Sequence, residues 1–162
     1  MRKREVNMLS LQPMEPKHLE QVSDLRVEES QLKFVGTMEE ILVNVDDKVH
    51  PNVMLSGDRI VGFFLIDTSY PASYEFAQSG SLGLRAFFID SRYQGNGYGK
   101  QAVASLKPFL NDQYPNHHSI YLTVNCKNPG AYRCYDLAGF QDTQEFYHGG
   151  PAGPQHIMMM PL

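Results

Sequence analysis

The chain has 162 residues, 42% hydrophobic and 20% charged, with 18 acidic side chains against 14 basic ones and a formal net charge of -4. A single domain over residues 1–162 fits that length, and such a chain buries about 70% of its unfolded surface in one core. The mildly acidic balance speaks against a nucleic-acid partner, which would call for a basic surface.

Met1–Glu5 (MRKRE) is basic, but Asn7 and Ser10 follow before any apolar core of a signal peptide develops. The densest apolar run, Ile60–Ile66, is far too short to span a bilayer, so a cytoplasmic protein without a membrane partner is expected. Met8–Leu11 reads as a short strand and Pro16–Val27 as a helix with Leu19, Val22, Leu25 and Arg26 on one side. Thr37 with Glu40 three residues on fits a capping box, which opens a second helix from Met38 to about Val45.

Asn52–Ser56 and Arg59–Ile66 are β-rich runs separated by Gly57-Asp58, a turn pair that predicts an antiparallel hairpin. Residues 67–80 are polar and turn-rich, and Ser81–Asp90 returns as a strand. Beyond a glycine-rich loop, Ala102, Val103, Leu106, Phe109 and Leu110 fall at helical spacing, with a kink or stop expected near Lys107 because Pro108 lacks an amide proton. His118–Val124 alternates as a strand. Asn128-Pro129 starts a helix of about ten residues that Gly139 stops. Phe140 and Gln155–Met160 supply one or two closing strands around a turn-rich HGGPAGP. That order describes an α/β (α+β) domain with one mixed, mostly antiparallel sheet of six to seven strands and about four helices. Cys126 and Cys134 form no CxxC pair and read as buried free thiols, and no histidine repeats at metal-ligand spacing, so no metal is expected.

The glycine loop Arg92–Lys100 (RYQGNGYGK) lies between a strand and a helix, where free amides and the helix dipole favour a phosphate. The dinucleotide fingerprint GxGxxG would begin at Gly95 and Gly97 but meets Lys100 where it needs glycine. The GxxxxGK[ST] loop fails at its first position, Gln94, and its last, Gln101. What remains is Gln94-x-x-Gly97-x-Gly99.

This pattern resembles the pyrophosphate loop of the GNAT superfamily of acyl-CoA-dependent N-acetyltransferases. A second stretch in the right order strengthens the resemblance: Asn128, Ala131, Tyr135, Gly139 and Phe140 match the family's asparagine, its helix with alanine and tyrosine, and the terminal GF. The likeness spans nearly the whole chain. Within the superfamily, LRAFFIDSRYQGNGYGK and Gln31–Val35 look like the branch of bacterial spermine/spermidine acetyltransferases, although Asn96 stands where a basic residue is common and Asp136-Leu137-Ala138 replaces a more usual Glu-Lys-Leu.

The resemblance implies acetyl transfer from acetyl-CoA to a primary amine, a small molecule such as a polyamine. Gln94, Gly95, Asn96, Gly97, Tyr98, Gly99 and Lys100 would hold the pyrophosphate, Phe88 and Ile89 would pair with the pantetheine arm, and Asn125, Asn128, Ala131 and Tyr132 would flank it. Tyr135 would assist thiolate departure as the catalytic residue, while Glu28, Glu29 and Glu75 are acceptor-side candidates. Read without the family, Tyr135 packs on the sheet, Asn128 caps its helix and the glutamates are solvated charges. Acetylation of a protein or peptide and a non-catalytic acyl-CoA-binding module stay open, as does a homodimer.

Overall fold

A computed structural model describes residues 8–162, so the basic Met1–Glu5 reading lies outside the described residues. The strands are β1 (Leu9–Pro13), β2 (Val49–Ser56), β3 (Arg59–Asp67), β4 (Leu82–Ile89), β5 (Ser119–Asn125), β6 (Gln141–Tyr147) and β7 (Gln155–Pro161). They form one seven-stranded sheet in the order β1-β2-β3-β4-β5-β7-β6, antiparallel at every junction except β4 with β5. The mixed, mostly antiparallel α/β architecture read from the sequence is the one observed. Gly57, at φ 64, turns β2 into β3 as the hairpin chemistry requires.

Among the described residues, six α-helical segments surround the sheet: α1 (Leu19–Ser23), α2 (Leu32–Val35), α3 (Met38–Val43), α4 (Tyr70–Ser73), α5 (Tyr98–Gln113) and α6 (Pro129–Leu137). The four expected helical regions are present, and α2 and α4 are additional single turns. The capping box at α3 forms as expected, with the Thr37 hydroxyl accepting from the Glu40 amide and the Glu40 carboxylate from the Thr37 amide. α5 and α6 pack on one face of the sheet through Val103, Leu106, Leu110 and Tyr135 against Phe64, Leu82 and Ile120. On the opposite face Val22, Leu25, Met38 and Ile41 cover Val53, Phe63 and Leu65. Among the described residues, no helix is long and apolar enough to cross a membrane.

Three expectations are corrected. The Pro16–Val27 helix is a turn at Pro16–His18 followed by α1 alone, and Leu19 is exposed. Tertiary hydrogen bonds capture the chain after Ser23: the Arg26 amide donates to Asp90, the Ser91 amide to the Arg26 carbonyl, and Arg92 to the Asp24 carbonyl. Pro108 neither stops nor ends α5, which runs on to Gln113. Ala104 and Pro108 both face solvent, so water can satisfy the carbonyl that loses its partner, while the buried Leu106 and Leu110 hold the helix on the sheet. Finally, Cys126 is exposed just past the end of β5 and Cys134 only half-buried.

β4 is the strand that shapes the molecule. Its pairing with β5 covers only Leu82 with Ile120 and Gly83 with Tyr121, after which the two strands separate. On the other side, Arg85 faces Leu65 and Phe88 faces Phe63, so β4 carries an extra residue there. That bulge is centred on Ala86, which takes a φ of 51 that non-glycine residues rarely adopt.

The far end of β4 is fastened by Asp90, whose carboxylate is fully buried. It accepts from the amides of Arg26 and Arg92 and from the Arg92 guanidinium at 2.8–2.9 Å. Burial alone would raise this carboxyl, but the Arg92 side chain and the two amides outweigh it and hold it below its ordinary 3.8. A depressed carboxyl stabilises the fold above its unfolded value, and that contribution is lost as pH falls through the folded one. Asp90→Ala is expected to cost about 2 kcal/mol in urea unfolding at neutral pH, since it leaves two amides without their acceptor, while the part-exposed Arg92 guanidinium keeps Asp24 and water. The gap to the parent chain should narrow below about pH 4, and a gap independent of pH would contradict the clamp.

Candidate active site

The loop after β4 is built so that its backbone amides face outward. Gly95 and Gly97 take φ values of 82 and 79, and Gly97 stands at the N-cap of α5 with no side chain closing the helix. The first α5 bond inside the helix runs from the Gln101 amide to the Gly97 carbonyl, so the amides of Tyr98, Gly99 and Lys100 precede the ladder. Side chains brace the loop from behind. Gln94 donates to the Ile89 carbonyl, and Asn96 donates to the carbonyls of Tyr93 and Gln94.

Two cavities flank the opening between β4 and β5. The smaller, about 450 Å³, runs from the glycine loop along Phe88 and Ile89 to α6. The larger, about 650 Å³, lies between α2, α3, the splayed strands and residues 149–152. Gln31, Phe87, Asn128, Ala131 and Tyr135 line both, so the cavities meet at these five residues. Tyr135 is wedged edge-on between Phe87 and Phe140, with ring centroids 5.8 and 5.6 Å away. Burial, then the neighbouring Cys134, pushes its phenol well above the ordinary tyrosine value, so the hydroxyl keeps its proton.

The predicted residues divide clearly. Phe88, Ile89, Gln94, Gly95, Gly97, Tyr98, Gly99, Asn128 and Ala131 line the smaller cavity, and Asn125 lines the larger. Asn96, Lys100 and Tyr132 line neither. Tyr132 instead donates to Asp142 at 2.8 Å, and that bond, followed by burial, raises its phenol. Asn125 is structural: it accepts from the Lys127 amide and donates to the Ala152 carbonyl. Asn128 sits at the N-cap of α6 as expected, yet its side chain does not cap the helix. The Asn128 side chain is drawn away instead, its amide group donating to Gln31 at 3.0 Å. Of the glutamates, Glu28 lines the smaller cavity and caps the turn at Glu29–Gln31, whereas Glu29 and Glu75 are exposed and line neither.

Sequence reasoning missed the far wall of the larger cavity. Tyr70 and Tyr74 stack at 4.4 Å, and Tyr147 meets Tyr74 edge-on at 5.3 Å. Tyr70 lies flat on the backbone of Gly83, where a Cβ would come within 1.9 Å of its ring. Arg85 extends beside them; burial raises the Tyr74 phenol above its ordinary value, and the Arg85 cation offsets only part of that rise. These residues come from three separate elements, α4 with its C-cap, β4 and β6, and the signal available in sequence was only a cluster of tyrosines in a turn-rich segment.

The two glycines at these walls make distinguishable demands. At Gly97 a Cβ meets nothing within 4 Å, so Gly97→Ala should carry only the backbone penalty, about 1 kcal/mol. Gly83→Ala should cost more, about 2–3 kcal/mol, and alter the near-ultraviolet signal of the tyrosines because Tyr70 must move. Equal urea midpoints for the two variants would contradict the packing described.

A model of the Acetyltransferase (GNAT) family matches residues 13–140. The chain is 28% identical to the uncharacterized N-acetyltransferase YbbJ of Bacillus subtilis (strain 168), over 93% of this chain and 95% of the relative. It is 31% identical to the spermine/spermidine N(1)-acetyltransferase of the same organism, over 80% of this chain and 85% of the relative. Among solved structures, AAC(6')-Ib in complex with Parmomycin and AcetylCoA superposes with a TM-score of 0.75 at 19% identity, covering 95% of this chain and 93% of that one. The family match over most of the chain, on a sheet that opens beside the glycine loop, identifies this protein as a member of the acetyltransferase (GNAT) family and an N-acetyltransferase.

Proposed function

We propose that this chain transfers an acetyl group from acetyl-CoA to the primary amine of a small molecule, with Tyr135 assisting departure of the thiolate. The observation that carries the reading is the position of Tyr135 on the walls of both cavities. The smaller cavity has the features an acyl-CoA needs. Positive-φ glycines and the uncapped start of the sixteen-residue α5 suit a pyrophosphate. Beyond Gly83 the β5-facing edge of β4 has no strand partner among the described residues, so its peptide groups are available to the amide-bearing arm. The Ile89 carbonyl is engaged by Gln94, which moves the emphasis to Phe87 and Phe88.

Acetyl-CoA supplies an acetyl thioester, whose carbonyl carbon bonds to the amine nitrogen while the carbon–sulfur bond breaks. A phenol donating a hydrogen bond to the departing sulfur lowers the barrier, and the raised Tyr135 phenol stays a donor throughout the working range. With reference values of about 8.5 for a thiol and about 10 for a phenol, the hydrogen bond contributes more than complete proton transfer. Phe87 and Phe140 hold the ring in place. The amine must arrive neutral, because an ammonium has no lone pair. Among the described residues Glu40 is the one carboxylate lining the larger cavity, and its role in the α3 capping box makes it a poor base. Water in that cavity is the simpler acceptor for the amine proton. The spermine/spermidine relative supports polyamines as the first amines to assay.

Tyr135→Phe is expected to lower kcat about 100-fold while leaving acetyl-CoA affinity within about twofold, measured by CoA release and calorimetry. In the parent chain kcat should not fall on the alkaline side up to about pH 10, since the phenol is held protonated, and kcat/KM should rise as the amine loses its proton. Unchanged kcat in the variant would remove the role of Tyr135. Tight acetyl-CoA binding without turnover on any amine or peptide would point to a binding module.

A further inference from the structure

The larger cavity has a charge pattern that selects among amines. Among the described residues, three charged side chains line it: Lys33, Glu40 and Arg85. Glu40 is held by its capping box, and the Lys33 ammonium sits 5.1 Å over the Phe34 ring. Arg85 bonds through Nη1 to Asp67 Oδ2 at 3.1 Å, with the arginine side chain 34% exposed and the aspartate 2%. The other Asp67 oxygen accepts from the Ser69 amide and hydroxyl. The pair is therefore oriented. The carboxylate is buried and does not line the cavity, whereas Arg85, held through one of its guanidinium nitrogens, does.

Such a face suits an anion. A guanidinium fixed at one nitrogen presents its remaining N–H groups in a planar fork that matches a carboxylate, and the fixed geometry reduces the ordering cost of binding. A second ammonium on the acceptor, by contrast, would meet the Arg85 and Lys33 cations at the cavity face, where Glu40 is the one lining carboxylate and Asp67 lies behind Arg85. Arg85 lies on β4 two residues from Phe87, which lines the junction with Tyr135, so the anion site and the reacting end share one strand. Tyr74 and Tyr147 form an aromatic wall over the space beside it.

Resting on the amine-acetylation reading, we propose that the preferred acceptor is an aminocarboxylate, an amine whose other end carries a carboxylate bound by Arg85, with Tyr74 and Tyr147 covering the carbon chain between them. Arg85 is then a specificity-determining residue and takes no part in bond making.

The test compares length-matched acceptors: 4-aminobutanoate with 1,4-diaminobutane, 5-aminopentanoate with 1,5-diaminopentane, and butylamine as the reference without a second charge, each scored by CoA release from acetyl-CoA. In the parent chain at least one aminocarboxylate should exceed its diamine about tenfold or more in kcat/KM. In Arg85→Gln, which keeps a donor for Asp67, the ratio of aminocarboxylate to butylamine should fall about 30-fold, mostly through KM. A parent chain that prefers the diamines, or a ratio unchanged in Arg85→Gln, overturns the proposal while leaving amine acetylation standing. Turnover on none of the amines overturns both.

Discussion

The separation of β4 from β5 is the constraint on which the rest of this structure depends. Two parallel strands that kept pairing would seal the sheet, and neither cavity would reach the other. Here pairing stops after Gly83, and three residues further on the bulge at Ala86 bends the strand. The strained backbone of Ala86 persists because both ends of the strand are fixed. Tyr70 lies against Gly83 at one end, and the buried Asp90 clamp holds the other. The opening exposes peptide groups without leaving the core unfilled, since α6 and Tyr135 close it from one side.

Around that opening most polar side chains serve the scaffold. Gln94 and Asn96 brace the glycine loop, Asn125 ties β5 to residues near 152, Asn128 reaches Gln31, and Tyr132 is committed to Asp142. The cavity walls are left with the glycine loop at one end, Tyr135 at the junction, and Arg85 among the polar residues of the larger cavity at the other. The division matches a reaction in which the donor is gripped by peptide groups common to many sequences, and the acceptor by side chains particular to this one.

The sequence made the local features legible. Gly57-Asp58 turned where hairpin chemistry said it would, Thr37 and Glu40 capped α3, and Gly139, at φ 112, followed the last turn of α6. The glycine loop and Tyr135 were legible because their spacing along one chain is short and their family pattern strong. Features made by distant contacts were not. The first helix ended early because Asp90, over sixty residues away, claims the Arg26 amide. Pro108 was tolerated because its side of α5 faces solvent, which propensity alone does not reveal. An alanine gives no sign of a positive-φ bulge, and Arg85, Tyr74 and Tyr147 become neighbours only when three elements fold together. The glutamates were chosen by sequence position, and exposure separates Glu29 and Glu75 from the cavities.

The central claim is that donor and acceptor cavities join at Tyr135. A crystal structure with CoA bound tests it most directly. The account predicts the pyrophosphate on the amides from Gly97 to Lys100, the pantetheine arm along the unpaired edge of β4, and the sulfur within hydrogen-bond reach of the Tyr135 hydroxyl. A CoA seated elsewhere, or a sulfur that ends far from Tyr135 with the tyrosine ring still packed between Phe87 and Phe140, would contradict it.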